Sequence, residues 1–325
     1  MNPIAAWNRF WFARISARPL GVYRILFGLF VLGHLVLLLP DLDFWYSDAG
    51  LLRADEPAFA AGPLRPSILS HYQDPTSVRI AWATVAAIAV AFTLGWRTRI
   101  VGVLLYLGLM TFYNRNLLTN CGPDQLMMIT AFYMMLAPCG AAYSLDARRE
   151  ARRRGTIAEP LIVPWVQRLM QLQLCLIYFM TAFLKTNGRC WTNGSAVHYV
   201  LFNHEVGQAN MEWLAAWPLV VNLMTYGALV TEFALAFLLW FRPSRRWIAL
   251  LGLALHAGIV PMVNVPLFGE QMTALYLLFL APDEFSSLGR FLTAPARWFS
   301  RRTAAGTAPE PAGWRQLELA FNAPR

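Results

Sequence analysis

Long apolar runs separated by short polar breaks dominate this chain. Eight of them read as membrane-crossing helices: Leu20–Leu39, Ile80–Trp96, Ile100–Tyr113, Leu126–Tyr143, Ile162–Lys185, Pro218–Trp240, Ile248–Val265 and Met272–Ala281. A helix needs about 20 residues to cross a bilayer core. The third and eighth runs are shorter and are expected to extend into their flanks or tilt less. Ahead of the first run, arginines alternate with Trp7, Phe10, Trp11 and Phe12, with no small-residue cleavage site. That pattern predicts an amphipathic helix lying in the cytoplasmic membrane surface, not a cleaved signal. After the last run, the stretch following Arg302 is small and Pro-containing, and reads as disordered. The expected fold class is therefore all-α, a polytopic membrane helical bundle. Its parts are an interfacial segment (1–18), a transmembrane domain (19–283) and a cytoplasmic tail, partly disordered (284–325). No internal repeat is visible.

Charge orients the bundle. With the N-terminus inside, 20 of the 27 basic residues fall on the cytoplasmic side. Six fall outside (Arg53, Arg65, Arg79, Arg115, Lys185, Arg189), and Arg24 lies in the first turn of the first span. The alternation holds at every loop, which places both termini in the cytoplasm of a bacterial-type inner membrane. The net charge of +9 thus reports orientation and requires no nucleic-acid partner. The arginine-rich loop Asp146–Glu159 reads as a contact with anionic lipid.

Most polar residues with chemical range sit in the outer segments: His71, Asn114, Asn120, Asp124, His198, His204 and Glu205. Cys121 and Cys190 also lie there, and they read either as a possible disulfide or as two free thiols. Cys139 and Cys175 read as packed thiols, and no metal-ligand spacing is present. Inside the spans, polar groups are costly and ask for a partner or a purpose. His34 reads foremost as an interhelical contact. Glu232 reads equally as a structural hydrogen bond or a functional group. His256 precedes Pro261, Asn264 and Pro266, a pattern that suggests a broken helix lining a cavity.

Lys185 is the only lysine; the other 26 basic residues are arginines. Burial can strip a proton from a lysine, whereas a guanidinium stays charged. The ordinary role of a lysine at a helix end is to snorkel to the headgroups. Two features argue for chemistry instead. Arginine fills every other boundary position, and the turn signals Asn187-Gly188 and Thr192-Asn193-Gly194-Ser195 follow directly, with Trp191 between them.

The segment from Tyr178 to Ala196 resembles the central motif of the horizontally transferred transmembrane (HTTM) group, which includes the vitamin K-dependent gamma-carboxylases. Lys185, Trp191 and Gly194-Ser195-Ala196 carry that likeness. Three further stretches are similar in order: Phe44 to Leu52; Asn120 to Asp124 with Tyr143 to Asp146; and His256 through Asn264 to Phe268. The resemblance implies that Lys185 is a general base accepting a proton from a reduced quinone (vitamin K-like) or other acidic lipid-soluble substrate. Asp124, His198 and His256 would then support it, in an outer-facing cavity walled by Trp191 and Tyr199 with Asn120. Phe183-Leu184 and Thr186 depart from the family pattern around the lysine. The chain ends soon after the last run, so the likeness does not extend to the extramembrane domain with which animal carboxylases hold their peptide. Carboxylase/epoxidase-like chemistry is one expectation. The alternative is a non-enzymatic membrane partner or maturation factor for an exported peptide, or a small-molecule carrier.

Overall fold

The computed structural model describes residues 2–51, 66–155, 159–203, 207 and 209–289. His204, Glu205, Arg53, Arg65 and the tail beyond residue 289 lie outside the described residues.

Helix α1 (Pro3–Phe12) starts where the Asn2 side chain caps the Ile4 amide at 3.0 Å and Pro3 supplies a first turn that needs no donor. None of its residues is buried, and Ile4, Trp7 and Phe12 are exposed. Strand β1 (Ile15–Ser16) pairs antiparallel with β2 (Leu161–Ile162), a two-residue clip. Helix α2 (Arg18–Leu38) leads into the short α3 (Leu42–Tyr46). Asp74 caps α4 (Pro75–Leu94) through the Ser77 amide, and Gly95 ends it at φ 74°, a left-handed cap that favours glycine. Next come α5 (Thr98–Arg115), α6 (Gly122–Leu136) and the arginine-rich α7 (Leu145–Arg154). Asp146 of α7 accepts from the Arg97 and Thr98 amides at 2.9 and 2.8 Å, satisfying the open N-terminus of α5. Then follow α8 (Trp165–Thr186), α9 (Arg189–Thr192), α10 (Ala196–Leu201), α11 (Pro218–Leu238), α12 (Arg242–Ile259) and α13 (Phe268–Ala274), which tightens into a 3-10 turn over Leu275–Phe279.

Each of the eight apolar runs contains a helix, and among the described residues four stretches are long and apolar enough to cross a membrane: Arg18–Tyr46, Pro75–Leu94, Trp165–Thr186 and Pro218–Leu238. The third run does extend, to 18 residues. The eighth extends at its start to Phe268, and one other is shorter than its apolar length suggests. Helix α6 stops at Leu136 because Pro138 cannot continue it. The eighth run is a seven-residue helix plus five residues of 3-10 turn, roughly 20 Å in all.

Neighbouring helices pack in sequence, α2 with α4, α4 with α5 and α5 with α6, while α8 packs with α11 and α11 with α12. The two groups meet where α6 touches α8 and where α13 touches α2, α6 and α12. Arg24 locks the first group. It is fully buried, and its guanidinium donates to the carbonyls of Cys139, Ala142 and Tyr143 at 2.9, 3.1 and 2.6 Å and to Thr93 at 3.4 Å. A smaller apolar cluster of Val197, Leu201, Leu214, Val221 and Met262 holds α10 to the start of α11. A second unit, Leu280–Arg325, is helical over 282–289 where described.

Candidate functional site

Lys185 occupies the last turn of α8, beyond which the chain reverses at Asn187-Gly188, with the Gly188 amide on the Lys185 carbonyl at 2.9 Å. The one-turn α9 then returns Trp191 so that its ring faces the ammonium, with Nζ 4.7 Å from the centroid. The amine does not extend outward. It turns into the bundle and ion-pairs with Glu232 from the middle of α11, the two side chains being 26% and 9% exposed. Thr181, one turn below Lys185, donates to the other Glu232 oxygen at 3.4 Å. Of the three donors of the amine, at least one remains for a further partner.

Continuing along the same face of α8, Tyr178 joins two other helices. Its hydroxyl lies 2.8 Å from His256 Nε2 on α12 and 2.6 Å from the Tyr276 hydroxyl. Gly252, one turn before His256, makes room for this arrangement, because a Cβ there would run into the Tyr276 hydroxyl. His256 is buried, and its Nδ1 has no hydrogen-bond partner among the described residues. Thr181 Oγ1 also lies 3.1 Å from the Tyr178 carbonyl, to which it can donate, and so bridges this group to the Lys185–Glu232 pair. Lys185, Glu232, Thr181, Tyr178, His256 and Tyr276 therefore form one connected polar cluster inside apolar helices.

A second cluster lies at the start of α6. Asp124 Oδ2 accepts from the Cys121 amide at 2.9 Å and its thiol at 3.1 Å, and Oδ1 sits 3.6 Å from His34 Nδ1. Asp124 and His34 line a small cavity with Tyr46, Tyr113 and Asn120, whose Nδ2 donates to the Tyr113 carbonyl at 2.8 Å. Its volume of about 30 Å³ suits a water molecule. Burial pushes the Cys121 thiol up to about 11, and the Asp124 acceptor adds to that. Phe268 lies against both clusters, edge-on to His256 at 6.0 Å and beside Gly122.

The HTTM domain model matches residues 12–283. This chain belongs to the HTTM domain family. A search of curated proteins matches the uncharacterized protein YitO of Bacillus subtilis (strain 168), 22% identical over 209 residues, covering 62% of this chain and 66% of that protein. The HTTM chain thus spans slightly less than two thirds of that relative. No solved structure matches it.

In this HTTM domain, the residues expected to act together divide. Lys185, Trp191 and His256 belong to the first cluster. Asp124 and Asn120 belong to the second, because α6 presents its N-terminus toward α2. His198 and Tyr199 join neither: both are exposed on α10, and the His198 ring packs against Tyr199 and Phe202. The Cys121–Cys190 bridge is not formed, and all four cysteines are free. Cys121 is committed to Asp124 at the head of α6, while Cys190 sits in α9 beside Gly188.

Sequence reasoning did not join Glu232 to Lys185, and it passed over Tyr178 and Tyr276. A signal for the pair was present. Glu232 is the lone acid in its apolar run and Lys185 the lone lysine of the HTTM chain, and two opposite charges in separate apolar helices call for each other. Tyr178, Thr181 and Lys185 also share the spacing of one helical face.

Proposed function

We propose that this HTTM protein crosses an inner membrane eight times with both termini cytoplasmic. On that reading the Lys185–Glu232 pair accepts a proton from a weakly acidic, lipid-soluble substrate at an outer-facing site. One observation carries the reading: the only lysine of the chain turns into the bundle, toward a carboxylate. An ion-paired ammonium is not itself a base. The pair becomes one when its shared proton moves to Glu232 or outward, so the two residues act as a unit whose base strength neither has alone.

A reduced quinone fits the donor–acceptor pattern of this cluster. A ring hydroxyl can donate to Glu232 and accept from a free ammonium proton, with the Trp191 face excluding water beside it. Tyr178 and His256 then hold the inner side of the cluster and offer the proton a hydrogen-bonded neighbour. What the quinol supplies when bound is an acidic hydroxyl whose anion is oxidisable. Peptide carboxylation is one use of such chemistry and is left to experiment.

The test uses purified protein in nanodiscs with a reduced naphthoquinol, followed by absorbance in air. Enzyme-dependent oxidation that is lost in Lys185→Arg supports the reading, because the arginine keeps the charge and cannot give up its proton. Equal activity in the arginine variant, or no quinol consumption, overturns it. Since Lys185 is unique, ¹⁵N-lysine labelling gives a single Nζ resonance. That signal should move on quinol addition in the wild type and stay fixed in Glu232→Gln.

A further inference from the structure

The piece of chain that covers Lys185 is short and lightly anchored. Trp191 sits on α9, a single turn none of whose residues is buried. The backbone bonds around it stay inside the segment: the Thr192 amide donates to the Gly188 carbonyl at 3.1 Å, and the Ser195 amide to the Cys190 carbonyl at 2.8 Å. The segment can therefore move as one piece about Gly188 and Gly194, which flank it. Its neighbours are held more firmly. Helix α8 packs on α11, and α10 buries Ala196, Val197 and Leu201 and donates its Val197 amide to Thr225 Oγ1 at 3.2 Å. Two contacts fasten the α9 segment to α11. The Tyr226 hydroxyl donates to the Thr192 carbonyl at 2.9 Å. One turn earlier, Asn222 lies against Gly194, which has a φ of 80°, and a Cβ there would fall 2.7 Å from Asn222 Oδ1 and 2.9 Å from the Tyr226 ring. Only glycine fits that approach. Glu232 lies six residues beyond Tyr226 on the same helix. One helix thus carries both the carboxylate that pairs with Lys185 and the contacts that hold Trp191 over it.

We infer that α9 is a lid over Lys185 and that Tyr226 is the positioning residue that latches it to α11. The inference names what regulates access to the Lys185–Glu232 pair, and it rests on the proposed role of that pair only for its effect on turnover. Local opening is least costly where few apolar groups are buried and the ties are exposed. Both conditions meet at α9, for Tyr226 is itself 43% exposed. In the closed position the indole ring faces Nζ at 4.7 Å, and the lysine side chain keeps 26% of its surface. That opening admits small molecules to the amine, whereas a ring-sized molecule needs the indole moved aside. Glycines at both ends of the lid supply the backbone freedom for that movement. Tyr226 touches neither Lys185 nor Glu232 through a hydrogen bond, so it sets the balance of closed and open forms without taking part in the chemistry.

The experiment exploits the single lysine. Full-length protein in nanodiscs is treated with a small amine reagent, formaldehyde with cyanoborohydride, or with a bulky one, a sulfonated succinimidyl ester of a fluorescein dye. Modification of Lys185 is followed by peptide mass spectrometry. Both reagents need the free amine, so the ratio of the bulky rate to the small rate reports access and cancels a change in basicity. That ratio should rise about three- to fivefold in Tyr226→Phe, the shift in an opening equilibrium that the loss of one hydrogen bond allows. Asn222→Ala, which removes the second contact, should shift it in the same direction. Trp191→Ala should raise it further, and adding Tyr226→Phe to that variant should change nothing more, because the latch acts only through the indole. Tyr199→Phe, at an exposed tyrosine of α10, should leave it unchanged. An unchanged ratio in Tyr226→Phe overturns the inference. So does an equal rise with both reagents, which marks altered basicity in place of access, or a Tyr226→Phe effect that persists without Trp191. No quinol enters this measurement, so the lid can fail while the proton-transfer reading passes its own naphthoquinol test, and the reverse.

Discussion

Lys185 and Glu232 are ion-paired across α8 and α11, 47 residues apart in sequence and well inside the bundle. A positive and a negative group in apolar surroundings depend on each other. Neither alone recovers the hydration it lost on burial.

Removing one partner should therefore cost more than removing both. Glu232→Gln is expected to lower stability by about 2 kcal/mol, below the 3–5 kcal/mol of a fully buried pair because the lysine keeps some solvent contact. The double variant Lys185→Met with Glu232→Gln should recover part of that loss. Thermal unfolding of the four proteins in detergent gives the double-mutant cycle. Additive losses would mean that the pair contributes no coupling.

Gly252 is a position where the tyrosine–histidine contact can be tested without touching it. Gly252→Ala puts a methyl group into the space of the Tyr276 hydroxyl and should destabilise by about 1–3 kcal/mol through overpacking. Adding Tyr276→Phe removes the obstructing oxygen and should restore part of the loss. Melting temperatures decide the matter, and no rescue would place the strain elsewhere.

Arg24 satisfies four backbone carbonyls from the interior of α2. Arg24→Met should cost about 3–5 kcal/mol, since it orphans buried acceptors at the α4 end and around α6–α7. Arg24→Lys should rescue little, because a compact ammonium cannot span the geometry of a planar fork. Expression and unfolding midpoint report both.

The Cys121 thiol gives a pH-dependent readout of the second cluster. With its pKa pushed up to about 11, it carries a thiolate fraction near 0.1% at pH 8. Maleimide labelling of this exposed cysteine should be slow at pH 8 and accelerate as pH rises toward 11. Asp124→Asn removes the carboxylate that favours the protonated thiol, and labelling at pH 8 should rise several-fold. An unchanged rate would mean that Asp124 does not hold the proton on sulfur. Intact-protein mass should match four free thiols.

Most of the helical architecture was legible in the chain. A run such as Pro218–Trp240 has nowhere to go but a helix in apolar surroundings, because every backbone polar group must be satisfied within the segment. The break after α12 was signalled by the Pro261, Asn264 and Pro266 that follow His256, whereas the expected span Leu126–Tyr143 ran through Pro138, where α6 stops at Leu136. Lys185 and Trp191 stood out locally, six residues apart on either side of a Gly-containing turn. Asp124, Asn120, His198 and Tyr199 were drawn toward Lys185 only because they share its side of the topology. The side of a membrane is a coarse coordinate: α6 turns Asp124 toward His34, and α10 leaves His198 and Tyr199 exposed.

The sequence by itself determined that the chain is apolar and helical, that each apolar run holds a helix, and that one lysine differs from 26 arginines. These follow from local terms, namely hydropathy, proline and glycine breaks, and side-chain chemistry. Only the tertiary structure decided that this lysine faces Glu232, that Tyr178 ties His256 to Tyr276, and that Asp124 belongs to His34. Those choices depend on the rotation of each helix about its axis and on which helices become neighbours. Both are fixed by packing among side chains far apart in the chain.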